Sequence, residues 1–588
     1  MGDEPFLGVS KSITGRYWRA RLDDERGALA LQQRLGISEL LARVLAARGV
    51  SIESGESYLD PKLKTDLPDP SSFQDMDKAA NRLAHAITQG QRIAVFGDYD
   101  VDGATSAALL LRFFRAIGSD ARLYVPDRLT EGYGPNAPAL RQLRSEGADL
   151  AVTLDCGIVA FEALAAAAEA GLDVIVVDHH LATPELPIAV AIVNPNRLDD
   201  TSPHKQLAAV GVAFLLVVAV NRALRNSGWY AERAEPNLLD WLDLVALGTI
   251  CDVVPLTGVN RALVAQGLKV MARRNNCGIA ALADVARVEE PPGTYHAGFL
   301  IGPRVNAGGR VGRSDLGARL LSTNDPHEAQ RLAEELDRLN AERRTIEAQV
   351  EQEAVAMASD QAADNPFVFV AGAGWHPGVI GIVASRLKER FRKPAMVVGF
   401  EGDTGRGSGR SVPGVDLGAA VTAARQAGLL INGGGHAMAA GLTVAVDKLA
   451  ALGEFLKARV AQVGFDPTQP ATLGIDGALA IGGASMDILD ELARAGPYGS
   501  GNTKPRFVIS GAQIVRADVV GTNHVRCILA SADGRRLKAM AFGAGDSPLG
   551  DALIARERRP IYVAGELRDN WWQGVRNVEF RIEDAAWA

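Results

Sequence analysis

Apolar positions along this chain change their period several times, and each change predicts a different kind of element. Ile37, Leu40, Leu41, Val44 and Leu45 follow a helical spacing. Pro61, Pro68 and Pro70 then interrupt the pattern. From about residue 75 to 260, short apolar runs alternate with helical stretches. Arg92–Phe96, Ala121–Val125, Leu150–Leu154 and Val174–Val177 read as strands, and the Ala-rich Phe161–Ala170 as a helix between two of them. That alternation predicts a parallel sheet with crossover helices. Leu332, Leu336, Leu339, Ile346 and Val350 then repeat at helical spacings, with no Pro or Gly between His327 and Ala363. They predict one helix of roughly 35 residues, about 50 Å long. Arg343 breaks its apolar stripe, which favours a rigid connector over a dimeric coiled coil. A second α/β unit follows, with a strand at Phe367–Val370 and a turn and helix from Gly378 to Arg390. Short alternating strands at Phe507–Ile509, Arg526–Leu529, Ala539–Phe542, Pro560–Val563 and Val578–Ile582 suggest a small β-barrel such as an OB-fold. The expected organisation is α/β: a helical segment (1–70), a parallel-sheet catalytic domain (71–325), a long connecting helix (326–363), a second α/β domain (364–465) and a C-terminal barrel (470–588).

Length and composition bound the answer. At 588 residues, 47% apolar, the chain holds several cores. A net charge of −8 excludes a generally basic coat for nucleic acid, though not a local basic groove. The four cysteines, Cys156, Cys251, Cys277 and Cys527, lie far apart without a CxxC pair. They fit neither a zinc ribbon nor a disulfide framework, and they suit a reducing cytoplasm. The start, Met-Gly-Asp-Glu, has no basic and apolar leader pattern. Val210 to Val220 is apolar but too short to span a bilayer. No membrane role is expected.

The chemistry concentrates where the apolar runs end. Phe96-Gly97-Asp98-Tyr99-Asp100-Val101-Asp102-Gly103 sets three aspartates on a strand-to-helix turn. Leu154 is followed by Asp155-Cys156-Gly157, Val177 by Asp178-His179-His180, and the apolar Leu242–Ile250 by Cys251-Asp252. Parallel strands bring such ends to one sheet edge, where open α/β sheets bind ligands. Clustered carboxylates raise each other's pKa unless a cation sits among them. Oxygen ligands with one or two imidazoles suit Mn²⁺ or Mg²⁺. Their number suits two ions about 3.5–4 Å apart, the arrangement that displaces an oxygen from phosphorus. The cysteines beside Asp155 and Asp252 read as packing residues. Further on, glycines crowd Gly399–Gly414 and Gly433–Gly435, with Ser408, Arg410 and His436 among them, and read as loops that let backbone N–H groups reach phosphate. In the barrel region Tyr498, Phe507, Trp571 and Trp572 interleave with Lys504, Arg506, Arg526, Arg568 and Arg576, as possible stacking faces and phosphate contacts.

These motifs resemble the DHH phosphoesterase superfamily. The wider set resembles its RecJ-type single-strand-specific 5′→3′ DNA exonucleases: Leu247–Leu256, Arg304-Val305-Asn306-Ala307-Gly308-Gly309-Arg310, His376–Leu387, Gly407–Ser411 and Gly433–Gly441. The resemblance implies a DHH domain, a DHHA1 domain and an OB-fold. It implies two divalent cations, Mn²⁺ or Mg²⁺, on Asp98, Asp100, Asp102, Asp155, His179 and Asp252. Asp155 would bridge the ions and His180 would face the scissile phosphate, with Asp178 fixing a neighbouring backbone or ring. Ser408, Arg410, Arg310, Arg128 and His436 would bind nucleic acid or its 5′-phosphate. Single-stranded DNA is the implied substrate, repair and recombination the implied setting, and a single-strand-binding protein and a helicase the implied protein partners. A Pro of the family motif is replaced by Thr503 in Gly499–Pro505. Other readings stay open at this point: a DHH phosphoesterase on short oligonucleotides or cyclic dinucleotides, a pyrophosphatase, or a non-catalytic single-strand-binding protein.

Overall fold

Ile93–Gly97, Leu150–Leu154 and Asp173–Val177 are almost wholly apolar and buried, so they form the middle of a sheet covered on both faces. A computed structural model describes residues 4–128, 130–361, 365–466, 469–555, 560–572 and 575–588, without the side chains of Trp571 and Trp572. Its contacts divide the chain into two units, one of residues 68–254 and 266–468, the other of 1–67, 255–265 and 469–588.

In the first unit the sheet runs Ala121–Tyr124, Ile93–Gly97, Leu150–Leu154, Asp173–Val177, Ala191–Val193, every pair parallel. By order in the chain this is 2-1-3-4-5, so the topology switches beside Ile93–Gly97 and opens a crevice beyond the strands' carboxyl ends. The helix Ala209–Asn226 is 18 residues long, apolar enough by composition to cross a membrane, and mostly buried. The run expected to be too short is thus the first part of a longer helix that serves as core.

The long helix is Pro326–Gln361. Leu332, Leu336 and Leu339 are buried along its first half. Along its second half, Val350, Ala354 and Ala358 pack with Val368, Val370, Trp375 and Val383 of the second α/β layer. Arg343 sits between these two apolar stripes. It is buried and donates to Glu347 at 2.6 Å and Asn340 at 3.0 Å.

The second sheet runs Asn432–His436, Ala439–Ala445, Thr404–Arg410, Ala395–Glu401, Val368–Ala373, antiparallel except for its last pair. This corrects the loop expectation: most of the crowded glycines lie in strands. A Cβ on Gly405, Gly407 or Gly409 would stand 2.9, 2.6 or 2.6 Å from Val398, Leu442 or Leu417. The glycines alternate because the core packs directly on that face of the backbone. Thr404, Arg406, Ser408 and Arg410 therefore share the other face.

In the second unit, Phe507–Val520, His524–Ala530, Arg536–Ala541, Val575–Trp587 and Ile561–Trp572 close into a five-stranded barrel. The N-terminal helices Glu25–Leu35 and Glu39–Ala46 complete its core, since Leu31, Leu41, Val44 and Leu45 pack with Phe507, Ile509, Val563 and Phe580. Thr503 does not loosen its turn. Asn502 donates to the Ala495 and Pro497 carbonyls and accepts from Arg48 and Tyr58, while Arg48 also holds the Thr503 carbonyl at 2.7 Å.

Candidate metal centre and phosphate grip

The parallel register lines up the strand ends. Asp98 N donates to Leu154 O (3.2 Å), Asp155 N to Val177 O (3.0 Å) and Asp178 N to Val193 O (3.1 Å). One row of residues past the sheet therefore presents Asp98, Asp155 and Asp178 side by side. Asp100 caps the helix Val101–Ala116 by accepting from Asp102 N and Gly103 N. A Cβ at Gly103 would lie 2.5 Å from the Asp98 carbonyl, so only glycine lets the turn close this tightly. Asp102 accepts from the first N–H groups of the helix Ala209–Asn226, at 2.7 and 2.8 Å. Asp252 caps the C-terminus of the helix Leu242–Cys251.

Three overlapping clusters result: Asp98 with Asp100 and Asp155, Asp102 with His179 and Asp252, and Asp155 with His179 and His180. His179 Nε2 lies 3.3 Å from Asp155, 3.6 Å from Asp252 and 3.9 Å from Asp102. Asp98 Oδ1, Asp155 Oδ1, His179 Nε2 and Asp252 Oδ2 are buried with no hydrogen-bond partner. Burial and neighbouring carboxylates raise Asp98, Asp102 and Asp155 well above the usual carboxylate range. Burial and the charge of Asp100 push Asp252 up to about 7. Burial and the adjacent His180 push His179 down to about 4, which keeps the imidazole neutral and its lone pair free. Orphaned acceptors, repelling carboxylates and a neutral imidazole fit a centre for hard divalent cations. The Cys156 and Cys251 thiols are turned to the Leu154 and Ala297 carbonyls, outside these clusters.

His180 is held differently. Asp178 accepts from its Nδ1 at 2.7 Å and from the backbone N–H groups of Ile158, His179 and His180. Burial lowers the His180 pKa, but the hydrogen bond and charge of Asp178 outweigh it, so the net direction is up. Tyr133 was not foreseen. Its hydroxyl donates to the Asp155 carbonyl at 2.9 Å and lies 3.3 Å from His180 Nδ1. It supports a backbone held in the left-handed region, φ 62° at Asp155. Its only sequence signal was a Gly-Tyr-Gly turn five residues past Arg128.

The phosphate candidates separate. Arg310 is half-buried and donates to the Gly378 carbonyl at 2.9 Å, and desolvation with the nearby Arg128 charge pushes it down to about 10. Arg410 donates to Ser408 Oγ at 3.2 Å and is lowered by the same two causes. Arg128 lies over the Tyr99 ring at 5.1 Å. Among the described residues, Asp315 pairs with Arg313 and Arg319 rather than with any of these three arginines. His436 is exposed at the end of its strand.

In the barrel unit, Phe507 is fully buried and Tyr498 packs on the core, so neither offers a stacking face. Arg506, Arg526, Arg568 and Arg576 pair with Glu583, Asp518, Glu579 and Asp490. The side chains of Trp571 and Trp572 lie outside the described residues. Phe542, not singled out beforehand, is exposed beneath Arg568 at 4.6 Å.

Family models match in the same order: the DHH family, N-terminal domain, over residues 92–249, the DHHA1 domain over 364–462 and the RecJ OB domain over 475–584. The single-stranded-DNA-specific exonuclease RecJ of Salmonella typhimurium is 37% identical over 97% of this chain and 99% of its own. The crystal structure of RecJ from Thermus thermophilus in complex with Mn²⁺ is similar with a TM-score of 0.80 and 31% identity, over 96% of this chain and 78% of that one. The Mg²⁺ complex of the same protein gives 0.74 and 30%, over 96% and 77%. The chain belongs to the RecJ family of the DHH superfamily.

Proposed function

We propose that this chain is a metal-dependent exonuclease that removes 5′-mononucleotides from single-stranded DNA in the 5′→3′ direction, in the cytoplasm, during repair and recombination. The observation that carries the reading is the convergence of four buried, unpartnered ligand atoms, on Asp98, Asp155, His179 and Asp252, in a RecJ-family chain. Single-stranded DNA is the partner the family supports, and a single-strand-binding protein and a helicase are proposed beside it.

Two divalent cations, Mn²⁺ or Mg²⁺, held by Asp98, Asp100, Asp102, Asp155, His179 and Asp252, would supply an acidified water and positive charge against the phosphoryl oxygens. Asp155 belongs to two of the three clusters, which suits it to bridge. His180, with Nδ1 fixed by Asp178, presents its other nitrogen for a hydrogen bond to the scissile phosphate or the departing 3′-oxygen. Polarity needs a group that recognises an end, because displacement at phosphorus is indifferent to direction. Arg310, Arg410 and Arg128 repel one another, and a terminal 5′-phosphate, with about two negative charges, relieves that repulsion and accepts their paired N–H groups.

Asp155→Ala tests the assignment. It should abolish nearly all hydrolysis and leave single-strand binding largely intact, measured by gel shift beside a Mn²⁺ digestion. Wild-type turnover in the variant would remove Asp155 from the centre.

A further inference from the structure

A cavity of about 430 Å³ adjoins the phosphate grip, lined by Trp375, His376, Phe400, Thr404 and Arg406 among others. His376 feels the charge of Arg128, and two residues on Gly378 accepts from Arg310, so the cavity begins where the grip ends. The glycine-rich strand connects the two. Ser408 and Arg410 stand on the same face as Arg406, with unbroken register from Thr404 to Arg410. Successive side chains on one face of a strand are about 6.6–7 Å apart. The helix Ile380–Phe391 covers the Ser408 and Arg410 end, since a Cβ on Gly381 would lie 3.0 Å from Ser408 Oγ and 3.2 Å from Arg410. At the other end Arg406 is exposed and lines the cavity, across from Gly399, over which the Trp375 backbone packs, since a Cβ there would lie 2.1 Å from the Trp375 carbonyl oxygen. Glu401 and Thr404 close the outer limit of the same face and set how far an anion reaches.

We propose that this cavity takes the outer phosphates of a polyphosphorylated 5′ end, so that the enzyme also accepts strands beginning with a 5′-triphosphate. The proposal rests on the reading of Ser408, Arg410 and Arg310 as the 5′-phosphate grip. With the innermost phosphate there, the next two extend along the strand face toward Arg406, whose planar fork pairs with phosphate oxygens. Hydrolysis then breaks the bond from the second nucleotide's phosphorus to the first nucleotide's 3′-oxygen. The water oxygen joins that phosphorus, and a water proton ends on the departing 3′-oxygen. The first product is a nucleoside 5′-triphosphate, and the shortened strand carries a new 5′-monophosphate.

The test compares kcat/KM on one oligonucleotide with a 5′-hydroxyl, 5′-monophosphate or 5′-triphosphate, and identifies the first product by chromatography. Wild type should release a nucleoside triphosphate. Arg406→Ala should lower kcat/KM on the triphosphate strand by roughly tenfold or more and leave the monophosphate strand unchanged. Arg406→Lys, which keeps the charge, should recover part of the loss. Wild type refusing the triphosphate strand, or Arg406→Ala losing the same factor on both phosphorylated strands, overturns the proposal. Arg410→Ala tests the underlying grip separately. If it keeps the preference for monophosphate over hydroxyl, the grip is misassigned, and the proposal that depends on it falls with it.

Discussion

Asp155 combines a left-handed backbone, a buried carboxylate and four acidic neighbours, an arrangement that costs stability unless a cation is present. The pH dependence follows. Carboxylates with raised folded pKa values contribute most below their unfolded value, near 3.8, and that contribution is lost as pH rises through the folded value, about 7 for Asp252. Metal-free protein should therefore melt at progressively lower temperature between about pH 4 and 7.5, and Mn²⁺ should restore more stability at the upper end. Melting curves in EDTA and in Mn²⁺ across that range check it, and a Mn²⁺ effect independent of pH would contradict it. Arg410→Ala should cost roughly 1.5–3 kcal/mol on a 5′-phosphorylated strand, about 10- to 150-fold in kcat/KM, and much less on a 5′-hydroxyl strand. An equal loss on both would show that Arg410 is no end sensor. Most of the acids and histidines were legible because aspartates and histidines closing apolar strands are unusual. Tyr133 was not, because its partners at Asp155 and His180 lie 22 and 47 residues away.

Strand ends were the most readable elements. Apolar runs of five residues fix the strands, and parallel pairing does the rest by bringing Asp98, Asp155 and Asp178 to one edge. The glycine-rich segment misled because glycine marks both a phosphate loop and a strand pressed against a core, and composition alone does not separate them. Gly407→Val separates them by experiment. Leu442 would stand 2.6 Å from the new Cβ, so the variant should lose about 1–3 kcal/mol of stability in denaturant melts. Unchanged stability with lost turnover would instead restore the loop role.

Across the whole chain, the barrel's core draws on Leu41 and Leu45 as well as on Phe507 and Phe580, segments more than four hundred residues apart. No local pattern reveals such a pairing, which is why residues 1–67 read only as a helical segment of undisclosed purpose. A chain ending near residue 466 should leave the N-terminal helices' apolar face uncovered. It should bind an apolar dye and aggregate, and removal of residues 1–67 as well should relieve this. Loss of the barrel should also weaken binding to long single strands and flatten its salt dependence, because fewer counterions are released. Metal-dependent removal of nucleotides from the 5′ end is checked by digesting a single-stranded oligonucleotide, 5′-phosphorylated and labelled at either end, in Mn²⁺ with and without EDTA. The 5′ label should leave first, as a mononucleotide, and EDTA should stop the reaction. Loss of the 3′ label first, or digestion that continues in EDTA, would contradict it.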